Sequence, residues 1–365
     1  MTILFLANND AGLYHFRGEL LERLVRSHQV HVCCPSGSCV QELKDLGCVF
    51  HDIEMAPRGM NPLKELRLFL CYIRLIRQVK PDLVLTYTIK PNVYGGWACR
   101  LAGIPYLANI TGLGTSVENG GLLAVITKSL YRSGLRGAKC VFFQNSSNRD
   151  LFIREKLVRG KSRLIPGSGV NLERHYPEPY PDASSGIRFL FVGRVMKNKG
   201  VGELLQSMHT IHREYPETSL DLIGRTEEDF TALFREREQD GVRYLGLQKD
   251  VHPFYRDCHC VILPSYHEGT SNVMLEASAT ARPVITTRVP GCRETFDEGV
   301  TGFGCEAKSA ESLAEAMRSF LALSHAEKER MGRAAREKME REYDRRIVIR
   351  AYLEEISAVE KGAET

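Results

Sequence analysis

Two glutamates in the stretch YHEGTSNVMLEA, residues 266–277, are the first side chains whose spacing suggests chemistry. Glu268 stands just before a Gly-Thr-Ser-Asn turn, and Glu276 lies inside the segment of helical composition that follows. The preceding stretch CHCVILPS has the composition of a buried strand, so a strand–turn–helix junction is predicted. Such junctions expose backbone N–H groups to anions in α/β folds. Two carboxylates beside an anion site indicate chemistry on a ligand that is both phosphorylated and hydroxylated.

A second charged group follows the predicted strand RFLFVG, in the loop GRVMKNKG at residues 193–200. Gly193 allows the backbone to approach a ligand. Arg194 and Lys199 place two cations at the carboxyl end of a strand, which is the expected ligand crevice of an open α/β sheet. A guanidinium and an ammonium both suit phosphate oxygens. Taken alone, a basic loop of this kind is more often simply solvated.

The two groups together favour a sugar-nucleotide site. If the helix begins near Ser271, the free N–H groups of residues 271–273 point at the same anion as the two cations, aided by the helix dipole. Glu268 then meets whatever lies beyond the phosphates, and Glu276 lies where a ribose offers hydroxyls. Each glutamate also has a structural alternative. Glu268 could complement the helix dipole, and Glu276 could be an exposed helix charge.

The bulk composition places these residues in a soluble two-domain chain. The 365 residues exceed one ordinary core, and 43% hydrophobic with 26% charged residues is typical of a globular protein. The 11 cysteines have no repeated spacing and no secretory signal precedes them, which predicts a cytoplasmic protein with reduced thiols. Residues 1–180 carry 23 Lys and Arg against 14 Asp and Glu, whereas the remainder has a net charge of −5. The basic first half is therefore expected to face an anionic partner.

Short apolar runs alternate with helical stretches, which predicts doubly wound parallel sheets. A linker rich in Pro, Gly and Ser covers residues 165–186. The α/β pattern thus indicates two Rossmann-like domains that face an interdomain cleft: residues 1–170, with a helix at 346–365 packing back on them, and residues 171–345. The predicted strands are TILFLA, QVHVCCP, DLVLTY, PYLANI and CVFFQN in the first domain, and RFLFVG, SLDLIG, RYLG, CVILPS and PVITT in the second.

Cofactor and metal signatures are weak. The first loop has no G-x-G-x-x-G pattern, and no two aspartates are separated by a single residue. The stretch DCHC at residues 257–260 alternates like an edge strand with one buried face, and it has no second ligand pair. We therefore predict neither a metal site nor a cofactor.

These motifs resemble the donor domain of glycosyltransferase family 4, retaining enzymes of the GT-B type. The similarity extends over nearly all of residues 187–345 and is strongest in the spacing from Glu268 to Glu276. The resemblance implies that Glu268, Arg194 and Lys199 are catalytic, the two cations holding the donor diphosphate and Glu268 contacting the sugar. It also implies a set of donor-binding residues that grip phosphate, ribose and base: Gly12, Gly193, Tyr244, Gly246, Gly269, Thr270, Ser271, Asn272, Val273 and Glu276.

The first half resembles one branch of that family. FLANNDAGLYHFRGEL, YTIKPNVYGG and NITGLG look like bacterial transferases that extend polyprenyl-diphosphate-linked saccharides. Many family members carry a histidine after the strand that corresponds to PYLANI, where this chain has Asn109 and Thr111. Either these polar groups substitute for the histidine or the acceptor region is organised differently. His15 is a further acceptor-side candidate; its alternative is a partly buried helix histidine.

Two basic, apolar stretches could contact a membrane. Residues 63–80 contain five Lys and Arg and one Glu, with apolar positions 66, 69, 70, 73 and 76 predicted on one face. The alternative is an ordinary Rossmann helix. Residues 120–139 are apolar and basic without an acid, which makes Lys128, Arg132 and Arg136 the better membrane-facing candidates. No motif indicates binding of nucleic acid.

The sequence therefore predicts a retaining glycosyltransferase that needs no metal. It would move a hexose or N-acetylhexosamine from a UDP-sugar to a polyprenyl-diphosphate-linked saccharide, as a peripheral protein on the inner face of the cell membrane. Two alternatives stay open: a UDP-sugar epimerase of the same fold, and a non-catalytic sugar-nucleotide-binding protein.

Overall fold

The computed structural model describes residues 1–55, 61–112, 121–182, 184 and 186–363. The chain forms two compact units. Unit 1 comprises Met1–Ser168 and Arg346–Thr365, and unit 2 comprises Gly169–Arg345. The boundary predicted at residue 170 lies two residues beyond the observed one.

Unit 1 is built on a seven-stranded sheet whose described strand pairs are all parallel. The strand order is β3-β2-β1-β4-β5-β6-β7. Strand β1 lies in the core of the unit, and its residues Ile3, Leu4, Phe5 and Leu6 are fully buried. The strands are β1 Thr2–Leu6, β2 Gln29–Cys34, β3 Val49–Asp52, β4 Leu83–Tyr87, β5 Tyr106–Ile110, β6 Cys140–Phe143 and β7 Ser162–Leu164.

Helices connect these strands, and polar caps mark where several of them begin. The side chain of Asn61, the residue before Pro62, accepts from the N–H groups of Leu63 and Lys64, and Asn145 Oδ1 accepts from Asn148 N at 2.8 Å. The helices of unit 1 are α1 Asp10–Val25, α2 Val40–Asp45, α3 Pro62–Val79, α4 Gly96–Ala102 after the π-helical turn Pro91–Gly95, α5 Gly121–Gly134 and α6 Ser146–Arg154.

Unit 2 repeats the arrangement with six strands in the order β10-β9-β8-β11-β12-β13, again with parallel pairs. The buried residues of β8, β9, β11 and β12 form one apolar core with the helices that cover them. The strands are β8 Arg188–Val192, β9 Ser219–Ile223, β10 Val242–Tyr244, β11 Cys260–Leu263, β12 Val284–Thr287 and β13 Gly302–Cys305.

Helices also connect the strands of unit 2, and at the start of one of them Ser324 and Glu327 form a complete capping box. They are α7 Val201–Glu214 after the 3₁₀ turn Lys197–Lys199, α8 Thr231–Arg237 with the 3₁₀ turn Glu238–Asp240, α9 His252–Asp257, α10 Asn272–Ala279, the 3₁₀ turn Arg293–Thr295, α11 Ala310–Leu321 and α12 His325–Lys338 with the π-helical turn Met339–Tyr343. The last helix, α13 Arg345–Ala363, packs Val348, Tyr352 and Ile356 into the core of unit 1.

Each sheet has a topological switch point, where neighbouring strands continue in opposite directions along the chain. In unit 1 this point lies between β1 and β4, and in unit 2 it lies between β8 and β11. Ligands of open α/β sheets bind at the carboxyl ends of such strands. The loops after β8 and β11 contain the charged residues that the sequence predicts for the site, Arg194, Lys199 and Glu268.

The fold class and all ten predicted strands are confirmed, but three strands were missed. β3 and β7 are short and mixed in polarity, and β13, with the sequence GFGC, contains two glycines. The edge-strand interpretation of DCHC is wrong, because β11 is paired on both sides by β8 and β12. Among the helices of the described part, none combines the length and the apolar composition needed to cross a bilayer.

Candidate active site

The loop after β8 carries the two predicted cations. Arg194 is exposed, and its Nη1 donates to Glu227 Oε1 at 3.0 Å. Lys199 lies in the 3₁₀ turn that follows and is enclosed, with 17% of its side chain exposed. Gly193, before both of them, has a φ of +154° and donates its N–H to Ile223 O. One exposed and one enclosed cation therefore stand at the carboxyl end of the same strand.

This loop packs directly against the turn after β11. Tyr266 N donates to Asn198 O at 3.0 Å. Gly200 has a φ of +69°, and a Cβ at that position would overlap the carbonyl oxygen of Pro264. A glycine is required here for two reasons, the left-handed backbone and the close approach of the two loops. The two predicted halves of the phosphate site are thus neighbours within unit 2.

Lys199 and Glu268 form an ion pair between Nζ and Oε1. The Ser265 hydroxyl also donates to Glu268 Oε1, at 2.8 Å. Only 17% and 16% of the two charged side chains are exposed, so the pair is shielded from water. The sequence predicted that Lys199 holds a diphosphate and Glu268 holds a sugar, and the structure places the two groups in contact with each other. A ligand with a phosphate beside a hydroxylated ring could separate the pair and offer a partner to each member.

The helix after this turn begins as predicted, with Ser271 as the N-cap and Asn272 as the first helical residue. The sequence predicted that the N–H groups of residues 271–273 are free to face an anion. This is wrong for Ser271, whose N–H donates to Gly291 O at 2.8 Å. The N–H groups of Asn272 and Val273 lie in the first turn, where no carbonyl within the helix can accept them. Among the described residues, no partner reaches Ser271 Oγ or Asn272 Oδ1, although both atoms are buried. These atoms form a polar helix tip with unused hydrogen-bonding capacity.

The loop from β12 supports the turn that precedes the helix tip. Gly291 has a φ of +83°, and a Cβ on it would overlap the carbonyl oxygen of Glu268. Within the turn, Thr270 Oγ1 donates to Gly269 O at 3.0 Å. A larger residue at position 291 would push the turn away, so this glycine maintains the placement of Glu268.

Glu276 lies one turn inside α10 and is half-buried, which contradicts its alternative as an exposed helix charge. The Tyr255 hydroxyl donates to Glu276 Oε2 at 3.0 Å. Burial raises the pKa of the Glu276 carboxyl, while the Tyr255 hydrogen bond and the nearby charges of Arg345 and Arg174 act in the opposite direction. The carboxyl is therefore fixed in orientation and only partly compensated in charge.

Tyr244 and Gly246, two of the predicted donor-binding residues, adjoin the β8 loop through Gly224. Tyr244 Oη donates to Gly224 O at 2.8 Å, and Gly224 N donates to Gly246 O at 2.9 Å. A Cβ on Gly224 would overlap the carbonyl oxygen of Gly193. The Tyr244 ring stacks on Phe234, with the ring centroids 4.8 Å apart. The structure thus brings Tyr244 and Gly246 to the same edge of the sheet as Gly193.

In unit 1, Gly12, one of the predicted donor-binding residues, lies in the first turn of α1. Its N–H donates to the capping Asn9 Oδ1 at 2.5 Å, and a Cβ on Gly12 would lie 2.7 Å from that oxygen. His15 is on the same helix and is exposed, with its Nε2 3.8 Å from Cys39 Sγ. The alternative of a partly buried histidine is therefore wrong. The donor role of Gly12 and the acceptor role of His15 stay predictions.

Asn109 is an interior residue, with 1% of its surface exposed. Its Nδ2 donates to the Tyr352 hydroxyl of α13, and its backbone oxygen accepts from Asn92 Nδ2 at 2.8 Å. The prediction that Asn109 faces an acceptor is corrected here, because its amide joins β5 to the C-terminal helix. Thr111 follows β5 and is half-buried.

Of the apolar face predicted for α3, Leu66 and Leu70 are exposed, positions 69 and 73 are half-buried, and only Ile76 is buried. Leu68, Tyr72 and Ile76 are the buried residues of this helix. The exposed ones include Leu63, Leu66 and Leu70, which are 78%, 53% and 45% exposed. The helix therefore has a second row of apolar residues in addition to the face that packs on the sheet.

Helix α5 is likewise apolar toward solvent at its N-terminal end. Two of the three membrane-facing cations predicted for residues 120–139 contact other residues of unit 1: Lys128 pairs with Glu155 at 2.7 Å, and Arg132 donates to the Glu155 carbonyl at 3.1 Å. Residues 120–139 contain no acidic residue, and the carboxylate that pairs with Lys128 belongs to Glu155, which follows α6. Arg136 is exposed. The exposed apolar residues of α5 are Leu122, Leu123, Val125 and Ile126.

Four residues that shape the site were not predicted: Ser265, Gly291, Tyr255 and Arg282. Ser265 and Gly291 stand in turns of the quoted motifs, where a small residue gives no functional signal by itself. Tyr255 is five residues before β11, and its hydroxyl direction depends on how α9 packs. Arg282 is a charged residue with no exposed surface, which no periodicity in the sequence indicates.

Two family models match the chain. The one described as glycosyl transferase 4-like matches residues 2–145, and the one described as glycosyl transferases group 1 matches residues 186–322. The N,N'-diacetylbacillosaminyl-diphospho-undecaprenol alpha-1,3-N-acetylgalactosaminyltransferase of Campylobacter jejuni is 27% identical, over 97% of both chains. The UDP-Gal:alpha-D-GlcNAc-diphosphoundecaprenol alpha-1,3-galactosyltransferase of Escherichia coli is 22% identical, over 78% of both chains.

A solved structure, Anabaena Alr3699/HepE in complex with UDP-glucose, superposes with a TM-score of 0.81 at 18% identity, covering 98% of this chain and 100% of that one. This likeness shows the fold. The two family models together match most of the chain, one within unit 1 and the other within unit 2. The chain belongs to the glycosyltransferases of the GT-B fold, with a glycosyl transferase 4-like domain followed by a glycosyl transferases group 1 domain.

Proposed function

We propose that the chain is a retaining glycosyltransferase that moves a hexose or N-acetylhexosamine from a UDP-sugar to a polyprenyl-diphosphate-linked saccharide. The observation that carries the proposal is the contact of Lys199 with Glu268 beside a helix tip with unused polar atoms. A diphosphate and a sugar joined to each other satisfy all of these groups at once. The Campylobacter jejuni relative, which matches over 97% of its length, is an N-acetylgalactosaminyltransferase that acts on a diphospho-undecaprenol substrate.

In this proposal Lys199 leaves Glu268 and binds the diphosphate together with Arg194 and the first N–H groups of α10. Charge builds up on the diphosphate as the bond from the sugar C1 to its oxygen breaks. Fixed donors stabilise that charge most where water is excluded, as it is around Lys199. Glu268 is then released to accept hydroxyl groups of the donor sugar, and Glu276 accepts from the ribose.

The retained configuration follows if the acceptor hydroxyl attacks from the face that the diphosphate leaves. The C1–oxygen bond to the acceptor forms, the C1–oxygen bond to the diphosphate breaks, and a diphosphate oxygen takes the acceptor's proton. No side-chain nucleophile is required. We propose that the protein cations balance the diphosphate charge without a divalent metal, so that EDTA leaves the transfer rate unchanged.

The acceptor has a lipid chain, and unit 1 has surfaces suited to a bilayer. The exposed rows on α3 and α5 are apolar, and Arg67, Arg74 and Arg77 are exposed along α3. Apolar side chains beside cations favour the interface of an anionic bilayer. We propose that these rows, rather than Lys128 and Arg132, provide most of the binding to the inner face of the cell membrane.

A panel of UDP-sugars tests the enzymatic proposal. We expect one UDP-hexose or UDP-N-acetylhexosamine to stabilise the protein against heat and to be consumed only when a polyprenyl-diphosphate-linked saccharide is present. Interconversion of two UDP-sugars without an acceptor would instead identify an epimerase. Binding without turnover under every acceptor would identify a non-catalytic protein. The anomeric configuration of the product, determined by NMR, tests retention.

Vesicle binding tests the membrane surface. Leu122→Ser with Val125→Ser removes two α5 residues that are 77% and 64% exposed, and partitioning onto anionic vesicles should fall by an order of magnitude. The matched control is Leu101→Ser with Val300→Ser, at sites that are 72% and 57% exposed outside α3 and α5. Equal partitioning of the two double variants would contradict the assignment of this surface.

A further inference from the structure

We propose that Tyr255 is a positioning residue for donor binding, which holds the Glu276 carboxylate in the orientation that receives the ribose. This inference rests on the proposed function, in which Glu276 is the ribose acceptor. Tyr255 lies on α9, has no exposed surface and donates from its hydroxyl to Glu276 Oε2 at 3.0 Å. Among the described residues, no donor reaches the other carboxylate oxygen, Oε1. One oxygen is therefore fixed by the protein and the other is left for a ligand.

The hydrogen bond constrains a side chain that would otherwise be mobile. Glutamate has three rotatable side-chain bonds, and fixing such a side chain during binding costs conformational entropy. The buried phenol fixes the carboxylate before the donor arrives. Tyr255 can do this because its ring is enclosed and its direction is set by packing.

The backbone of Tyr255 is itself clamped by a buried arginine. Arg282 has no exposed surface, and its Nε donates to Tyr255 O at 2.8 Å. Its Nη2 donates to Arg256 O at 2.8 Å and to Pro179 O at 2.7 Å. The remaining nitrogen, Nη1, donates to carbonyl oxygens at the end of α10 and in the linker. Arg282 thus joins the C-terminal ends of α9 and α10, the two helices that carry Tyr255 and Glu276.

The hydrogen bond also affects the charge of Glu276. Burial raises the pKa of this carboxyl, and the opposing groups are the Tyr255 hydroxyl on α9, Arg174 in the segment before β8, and Arg345 at the start of α13. Removing the hydroxyl leaves burial opposed only by the two arginines. The pKa of Glu276 then rises further, and a protonated carboxyl accepts ribose hydroxyls less well.

The substitution Tyr255→Phe removes only the hydroxyl. We expect KM for the UDP-sugar to rise about ten-fold, as for loss of one hydrogen bond to a charged group, while kcat changes little. We also expect the acid limb of kcat/KM to move to higher pH. The matched control is Tyr180→Phe, which removes a hydroxyl that donates to His259 O at 2.9 Å in the same unit. The control should have a similar effect on thermal stability and none on KM or on the pH profile.

A double-variant cycle separates positioning from general support of the fold. In the background of Glu276→Gln, the further change Tyr255→Phe should leave KM unchanged, because the positioned charge is already gone. Equal KM values for Tyr255→Phe and Tyr180→Phe, or additive effects in the cycle, would overturn the inference. These outcomes presuppose a wild-type chain that binds and consumes a UDP-sugar, whereas a wild-type chain that does neither would refute the proposed function instead.

Discussion

The ammonium group of Lys199 is the part of the site whose removal has the most direct consequence. Lys199→Met keeps the length of the side chain and removes its charge. In the proposed site the charge of Lys199, which is 17% exposed, acts on a bound diphosphate through a region from which water is largely excluded. Removing one such donor from an enclosed site costs about 3–4 kcal/mol in the transition state. We therefore expect kcat to fall by about 10²–10³-fold.

The same substitution affects the stability of the protein. Glu268, which is 16% exposed, loses its cation and keeps the hydrogen bond from Ser265 at 2.8 Å. An enclosed carboxylate left without its charged partner costs about 1–3 kcal/mol. For a domain of roughly this size, each kcal/mol corresponds to about 2–4 °C in Tm. The double variant Lys199→Met with Glu268→Gln should recover most of that Tm and none of the activity.

The assay compares Lys199→Met with Lys197→Met under saturating acceptor. Lys197 lies in the same 3₁₀ turn and is exposed, so its substitution makes the same change in net charge at a position two residues away. We expect the control to keep kcat within about three-fold of the wild type, since exposed charges are screened by solvent. Equal turnover of the two variants would refute the assignment of the diphosphate to Lys199, whatever their stabilities.

Three further substitutions test the surroundings of the site. Glu276→Gln should weaken UDP binding and raise Tm at pH 8, because burial raises the pKa of Glu276 and its ionisation in the folded chain is unfavourable; the gain in Tm should vanish near pH 4, and a gain that does not depend on pH would contradict this origin. Ser271→Ala should lower UDP affinity about ten-fold without lowering Tm, since the Ser271 hydroxyl is buried and makes no cap bond; calorimetry and thermal unfolding check both. Arg282→Met should destabilise unit 2 by roughly 3–5 kcal/mol in urea unfolding, because six carbonyl oxygens lose a buried donor; a loss below about 1 kcal/mol would show that water replaces it.

The alternation of strands and helices could be predicted from the sequence because buried parallel strands are continuous apolar runs. CVFF in β6 and CVIL in β11 are examples, and each has four buried residues. β7, with the sequence SRL, lies at the end of its sheet and is only partly buried, so no continuous apolar run marks it. For α3 the sequence left two alternatives open, a bilayer-facing helix and an ordinary Rossmann helix. A helix with two apolar rows gives the same periodicity whichever row packs on the sheet.

The charged residues of the site were predictable because their types and their places after strands limit what they can do. Lys199 and Glu268 stand after β8 and β11, and the structure joins them at the switch point between these strands. The supporting residues were not predictable, since Ser265 and Tyr255 act through the direction of a single hydroxyl. Asn109 shows the opposite error. A polar residue near the end of a strand suggested a ligand contact, but the packing of α13 turns its amide into a structural link.

In the proposed mechanism, the pairing of Lys199 with Glu268 affects the selectivity between donor and product. A nucleoside diphosphate alone can pair with Lys199. Glu268 then stays enclosed, with the Ser265 hydroxyl as its hydrogen-bond donor and no cation beside it. A nucleotide sugar provides a partner for each residue. Its diphosphate pairs with Lys199, and the hydroxyl groups of its sugar donate to Glu268. Separating the pair is therefore fully compensated only when the sugar is attached. Once the sugar has been transferred, Glu268 loses its new partner, and re-forming the ion pair favours release of the nucleotide.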